Sequence, residues 1–306
     1  MNPGNTPFPM LHDSVTIMTP FLLAASGGLF TELAGVLNIA LEGLMLIGAF
    51  FSITFTALTG NLFLGILLGM AVSMAAALLY GVVSLKLQAN IFITGLATNL
   101  LASGLTVMLS QHLFGTKGVV RFPGIQHLPV LRIPGIHAVP ILGDLLSGHN
   151  VLVYASWAVL ALTAVLLYLT PFGLRIRATG LNAESVTALG MRPVGYQLRA
   201  ILLSGAACGM AGAMLSLNIS AFVPNITAGR GWIALVVIYL GNRTPLGILI
   251  ASFVFGLAET VSIFAQGVIS LPAEIILAFP YIVTVVAMVL YSIWQTRRQR
   301  QHHAHR

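Results

Sequence analysis

Long, uninterrupted apolar runs constrain this chain more than any other feature. A run of about twenty apolar residues crosses the roughly 30 Å hydrocarbon core of a bilayer as a helix. The runs are continuously apolar and do not alternate, which favours helices over a barrel. Only 7% of the 306 residues are charged and the mean hydropathy is +0.97, whereas soluble domains carry about a quarter charged residues. The sequence predicts an all-α polytopic membrane protein.

Nine stretches are candidate membrane segments, and we expect eight or nine to cross because the seventh is short. They are 15–37, 43–59, 62–85, 91–113, 151–170, 198–220, 231–241, 245–266 and 274–294. We therefore predict an external N-terminus (1–14), one transmembrane domain (15–294) and a cytoplasmic tail (295–306). The domain contains an external, proline-rich loop (114–149) and a cytoplasmic loop (171–197).

Basic residues set the predicted orientation. The basic residues predicted to be cytoplasmic, as the positive-inside rule requires, are Lys86, Arg175, Arg177, Arg192, Arg199, Arg243 and the arginines of the tail. This places the N-terminus outside and the C-terminus on the cytoplasmic side of the membrane. No Lys or Arg precedes the first apolar run, so we interpret that run as a retained helix and not a signal peptide. The net charge of +7 is spread over loops and tail, which argues against nucleic-acid binding.

Motifs of catalysis are absent from the sequence. It contains no GxxxxGK[ST], HExxH, GxSxG or CxxC pattern, and its single cysteine, Cys208, lies in an apolar run. We expect no catalytic residue, no metal site and no cofactor in this chain.

Asn38 and Glu42 interrupt an apolar run and need an explanation. A charged side chain near the bilayer centre costs about 2.5–3.5 kcal/mol on insertion scales, so it faces protein or water. Gly35 and Gly43 indicate a break between the first two segments. Two roles are open for the pair: a hydrogen-bonded clamp between helices near the cytoplasmic side, or contact with a polar solute.

Further polar residues repeat this pattern. Thr98 and Asn99 lie on the fourth segment. Two roles are open for these side chains: close packing between helices, or lining a pore. The sixth segment breaks near Pro224, and the chain restarts as a helix near Gly231. The remaining candidates for the path or clamp are Asn225, Arg230 and Glu259, the last with no partner predictable from sequence.

Two stretches, "TELAGVLNIALEG" and "CGMAGAMLSLNIS", share an AG-then-N pattern, and each precedes a broken helix. In the predicted topology they run in opposite directions. This is the arrangement of an inverted repeat, which many transport proteins use to place a path at the repeat interface.

The cytoplasmic loop contains a miniature helix with its own start and stop signals. Asn182 can cap the N-terminus, Glu184 falls in the first turn, and Gly190 suits a left-handed C-terminal position. A helix of about seven residues is far too short to be stable alone in water. It must dock on its own bundle or in the groove of a partner.

Three stretches carry a family resemblance: "ELAGVLNIALEGLMLIGAF", "FGLRIRATGLNAESVTALGMRP" and "AGRGWIALVVIYLGNRTPLGILIASFVFGLAE". They resemble permease subunits of bacterial ABC importers, in the superfamily shared by branched-chain amino acid and ribose-type permeases. The form "GVLNIALEG" resembles the nucleoside and simple-sugar branch. The match extends over residues 20–294, and it implies a type II ABC-importer-like permease.

The resemblance also implies partners. A periplasmic or lipid-anchored binding protein would deliver the solute, a second and different permease subunit would complete the path in the lipid, and a separate ATPase would bind ATP and Mg²⁺. The residues matching the ATPase-coupling segment are Arg175, Arg177, Asn182, Glu184, Leu189 and Gly190. Two alternatives stay open: a branched-chain amino acid permease, and an ion-coupled secondary transporter in which Glu42 or Glu259 titrates.

Overall fold

A computed structural model describes residues 9–122, 124–125, 127–133 and 142–268, together with positions 282, 285, 286 and 289. The predicted ninth segment (274–294), apart from those four positions, and the tail (295–306) lie outside the described residues.

The described residues are mostly helical. The helices are α1 Pro9–Leu33, α2 Leu41–Thr59, α3 Leu62–Gly81, α4 Ile91–Phe114, α5 Leu142–Leu146, α6 Val151–Tyr168, α7 Pro171–Leu181, α8 Ala183–Ala188, α9 Pro193–Asn218, α10 Arg230–Leu240 and α11 Pro245–Val268. A π-helical turn, Val82–Lys86, extends α3. Within this part of the chain, seven helices are long and apolar enough to cross a membrane, and α10 is shorter. The all-α polytopic class is confirmed.

Local signals explain most helix boundaries. The side chains of Asn61, Asn90 and Asn150 accept backbone N–H bonds at the starts of α3, α4 and α6. Such caps satisfy N–H groups that have no partner inside the helix. Helix α9 begins at Pro193, five residues before the predicted segment, because proline fits the first turn and the helix continues beyond its apolar part.

Helices α1, α2 and α9 form the buried centre, while α3, α4 and α6 are mostly exposed at the periphery. Glycines allow the central helices to approach closely. A β-carbon on Gly48 of α2 would lie 2.5 Å from the α-carbon of Gly209 on α9. A β-carbon on Gly69 of α3 would lie 2.8 Å from the α-carbon of Ser52 on α2. Small residues at such crossings let the helix backbones approach closely, which increases the packing contacts between membrane helices.

The two ends of the bundle have different structures. At one end, short strands pair antiparallel: β1 (Val120–Arg121) with β4 (Ala221–Phe222), and β2 (Val130–Leu131) with β3 (His149–Asn150). The opposite end carries the α1–α2 connection, helices α7 and α8, and the α10–α11 turn. The six described basic residues that the sequence grouped as cytoplasmic lie at this second end, namely Lys86, Arg175, Arg177, Arg192, Arg199 and Arg243.

The two stretches behind the predicted inverted repeat differ in local structure. Ala34 and Gly35 follow the end of α1, whereas Ala211 and Gly212 lie inside α9. The first stretch (31–43) contains the break between α1 and α2, whereas the second (208–220) runs into the break between α9 and α10. The inverted repeat stays a prediction.

Candidate functional site

Residues 34–40 form the predicted break between α1 and α2. Gly35 has φ +74°, a conformation that glycine adopts without the strain of a β-carbon. Asn38 is buried in this break. Its Oδ1 accepts the backbone N–H of Ala40 at 3.0 Å, and its Nδ2 donates to the Ser204 hydroxyl of α9 at 2.9 Å. Asn38 therefore fixes the turn and ties it to another helix.

Glu42, in the first turn of α2, has its carboxylate at the N-terminus of α10. Its Oε1 accepts the Thr227 hydroxyl at 2.6 Å and the N–H of Gly229 at 2.8 Å, and its Oε2 accepts the N–H of Gly231 at 2.7 Å. The N-terminus of a helix carries unpaired N–H groups and partial positive charge, so it stabilises an anion there. A buried carboxylate is thus accommodated by an adjacent helix end.

Asn99 of α4 holds the same break from the periphery. Its Oδ1 accepts the N–H of Gly43 at 2.8 Å, and its Nδ2 donates to the carbonyl of Ile39 at 3.0 Å. The neighbouring Thr98 hydroxyl donates within its own helix, to the carbonyl of Thr94 at 2.8 Å. Asn38, Glu42 and Asn99 make the contacts that the clamp interpretation requires, and Thr98 makes none of them.

The second predicted break, between α9 and α10, covers residues 219–229. Asn225 is exposed, has φ +56°, and its carbonyl accepts the N–H of Ala228 in a tight turn. Arg230, the first residue of α10, forms an ion pair with Glu259 of α11 and also donates to the carbonyl of Ile226. The structure thus supplies the partner of Glu259.

Glu32 belongs to this group, although the sequence analysis did not select it. At the end of α1, it accepts the Tyr239 hydroxyl at 3.0 Å and pairs with Arg243 Nε at 2.9 Å. Both partners lie at the C-terminal end of α10. The available signal was an acid near the cytoplasmic end of the first predicted segment and a base, Arg243, in the cytoplasmic turn after the seventh, but the sequence analysis used Arg243 only to orient the chain.

The miniature helix is present as α8 and has the predicted signals. The side chain of Asn182 accepts the N–H of Ser185 at 3.0 Å, Glu184 lies in the first turn, and Gly190 has φ +77°. The sequence did not predict α7, the preceding 11-residue helix, which is capped by Thr170. The glycines within α7 lower its intrinsic helix propensity, so the sequence pattern did not indicate a helix there.

The predicted coupling residues divide between two helices. Arg175 and Arg177 lie on α7, where Arg175 donates to the Tyr196 hydroxyl at 3.3 Å and Arg177 lies over the Tyr168 ring. Leu181 and Leu189, at the two ends of α8, are 87% and 75% exposed. Both leucine side chains are therefore exposed beside α8, and we call residues 171–190, which contain the predicted coupling residues, the coupling loop.

The family model described as "Branched-chain amino acid transport system / permease component" matches residues 10–288. The chain belongs to this family. The permease resemblance indicated by the three sequence stretches is therefore confirmed.

Relatives of this permease are similar along most of its length. It is 30% identical to a nucleoside ABC transporter permease protein, NupC, of Lactococcus lactis, covering 95% of this chain and 94% of that protein. It is 30% identical to a putative glucose ABC transporter permease protein of Haloferax volcanii, over 95% and 93% of the two chains. It is 31% identical to a guanosine ABC transporter permease protein, NupQ, of Bacillus subtilis, over 88% and 87%.

A solved structure shares the fold of the permease. PsaBC from Streptococcus pneumoniae, in complex with Fab, superposes with a TM-score of 0.51 at 16% identity, covering 93% of this chain and 92% of that one. At this identity the likeness concerns the fold alone.

Proposed function

We propose that this permease is the membrane subunit of an ATP-driven importer that moves nucleosides or a related simple sugar across the bacterial inner membrane. ATP hydrolysis takes place on a separate subunit, which holds ATP and Mg²⁺. The names of the similar proteins, which specify nucleoside, guanosine and glucose, support this class of solute.

The coupling loop is the observation that carries the proposal. Helix α8 has six residues, and all of them except Val186 are exposed. A helix this short gains its stability from docking. With Leu181 and Leu189 exposed beside it, α8 fits the groove of a partner protein, where apolar side chains on a short helix act as anchors. The ATPase subunit is that partner, and its closure on ATP moves the coupling loop.

The other assignments follow from this docking. The end of the bundle with α7 and α8 faces the cytoplasm, and the N-terminus is outside. A second permease subunit and an external binding protein complete the importer. Asn38, Glu42 and Asn99 hold the helices that border the path, because their polar atoms are already hydrogen-bonded to protein.

The contacts of the deep acids favour this function over ion-coupled transport. An ion-coupled carrier needs a carboxylate that can release its partners and take up a proton or cation. Glu42 accepts hydrogen bonds from two backbone N–H groups and one hydroxyl, and Glu259 pairs with Arg230. Both carboxylates are engaged in structural contacts.

Uptake by the assembled complex tests the proposal. Labelled guanosine is offered to cells with depleted ATP and, separately, to cells whose ion gradients are collapsed. We expect uptake to stop in the first case and to continue in the second. Excess unlabelled nucleoside, glucose or leucine then identifies the solute class by competition. Competition by leucine alone would assign the permease to branched-chain amino acids, and uptake that follows the ion gradient would contradict the proposal.

A further inference from the structure

Helix α10 is held at both ends by acidic side chains from a single stretch of chain, residues 32–42. At its N-terminus, Glu42 accepts the N–H groups of Gly229 and Gly231. At its C-terminal end, Glu32 accepts the Tyr239 hydroxyl and pairs with Arg243. A carboxylate at the start of a helix and a cation at its end both suit the helix dipole. Residues 32–42 and α10 therefore form one connected body.

The coupling loop contacts the same stretch of chain. A β-carbon on Gly35 would lie 3.1 Å from the α-carbon of Gly180, so the backbones of the break and of α7 touch. Gln197, near the start of α9, donates through Nε2 to the carbonyl of Ala34 at 3.2 Å. Close-packed interiors transmit displacement because they contain few voids that could absorb it.

Side chains from peripheral helices restrain the break further. The Tyr80 hydroxyl of α3 donates to the carbonyl of Leu37 at 3.0 Å, and Asn99 of α4 bonds to Ile39 and Gly43. With its backbone groups bonded to several helices, the break is held in one conformation. It is suited to move as a unit with its neighbours.

We propose that residues 32–42 and α10 move together as a rigid lever that carries displacement of the coupling loop into the middle of the bundle. Glu32 is a positioning residue that joins residues 32–42 to α10 at the cytoplasmic end of this lever. Through the Arg230–Glu259 ion pair, the movement also reaches α11. This inference rests on the proposed function, because a docked ATPase supplies the displacement.

Transport efficiency in the complete importer tests the lever. Permease subunits, ATPase and binding protein are reconstituted in proteoliposomes, with Glu32→Gln or Tyr239→Phe in this chain. We expect solute uptake per ATP hydrolysed to fall about fivefold or more, the scale of coupling between distant sites. Copurification of the ATPase should be unchanged. Tyr154→Phe is the matched control, because that hydroxyl bonds to the carbonyls of Leu131 and Leu146 at the opposite end of the bundle. An unchanged ratio in both Glu32→Gln and Tyr239→Phe would overturn the proposal.

A spin-label measurement separates positioning from simple stabilisation. In a Cys208→Ser background, labels replace the exposed Leu174 of the coupling loop, which is not one of the proposed docking anchors, or Trp232 of α10, in separate samples. In the parent complex, ATP binding should change the spectrum at both positions. With Glu32→Gln, the change should persist at 174 and be lost at 232. An equal spectral change at 232 with and without Glu32→Gln would contradict the lever proposal. A parent complex that binds no ATPase or imports no solute would instead contradict the proposed function.

Discussion

Gly231 of α10 and Glu42 of α2 are in backbone contact. The N–H of Gly231 donates to Glu42 Oε2 at 2.7 Å, and a β-carbon at position 231 would lie 2.5 Å from the α-carbon of Glu42. Glycine at this position lets the carboxylate reach the N-terminus of the helix. The acid in the apolar run is thus explained by a residue far along the chain.

Gly231→Ala should destabilise the permease because the added methyl group overlaps the backbone of Glu42. Overpacking a tight core costs about 1–3 kcal/mol, and here it also lengthens the hydrogen bonds to the carboxylate. Thermal unfolding of the purified protein in detergent measures the loss. The matched control is Gly104→Ala on α4, where a β-carbon meets nothing within 4 Å. Equal melting temperatures for the two variants would contradict the packing argument.

Glu42→Ala and Asn38→Ala should reduce the amount of stable protein more than they change solute preference. Removing the carboxylate leaves the buried N–H of Gly231 without its acceptor, at a cost of about 1–3 kcal/mol, and the part-buried N–H of Gly229 loses its acceptor as well. The yield of monodisperse protein and competition in uptake assays are measured together. Thr227→Val, which removes only one donor to Glu42, should have a smaller effect. A stable Glu42→Ala variant with altered solute preference would instead support direct contact with solute.

Asn99→Ala should lower the melting temperature, since the break then loses one donor and one acceptor. The lost bonds to Gly43 and Ile39 are worth about 0.5–1.5 kcal/mol each. The adjacent Thr98→Ala is the control, because its hydroxyl bonds only within α4. If Thr98→Ala lowers stability as much as Asn99→Ala, the clamp role of Asn99 is wrong.

Gly190→Pro should leave membrane insertion intact and abolish association with the ATPase. Proline fixes φ near −65° and cannot adopt the +77° found at position 190, so the end of α8 changes. Asparagine tolerates the left-handed region, so Gly190→Asn should retain binding. Copurification of the tagged permease with its ATPase is the measurement.

Glu184→Arg should also weaken ATPase association. It places a cation at the N-terminus of α8, where the helix dipole disfavours positive charge. Copurification and solute uptake measured on the same preparation decide the outcome. If both are retained, the coupling assignment of α8 fails.

Features with local causes could be predicted from the sequence. Membrane segments follow from apolar length, and α8 follows from the cap at Asn182 and the glycine at 190. Both helix breaks were predicted, one from the glycines near residue 35 and one from Pro224. Family membership followed from the three quoted stretches and is confirmed over residues 10–288.

Tertiary structure alone decided which groups meet. Glu42 reaches Thr227 across 185 positions of sequence, and Arg230 reaches Glu259 across 29. No local signal specifies such pairs, because helices approach wherever small residues allow close packing. The sequence determined that buried polar groups had to be satisfied, since lipid offers no hydrogen bonds. The packing of α2, α10 and α11 determined which partners satisfied them.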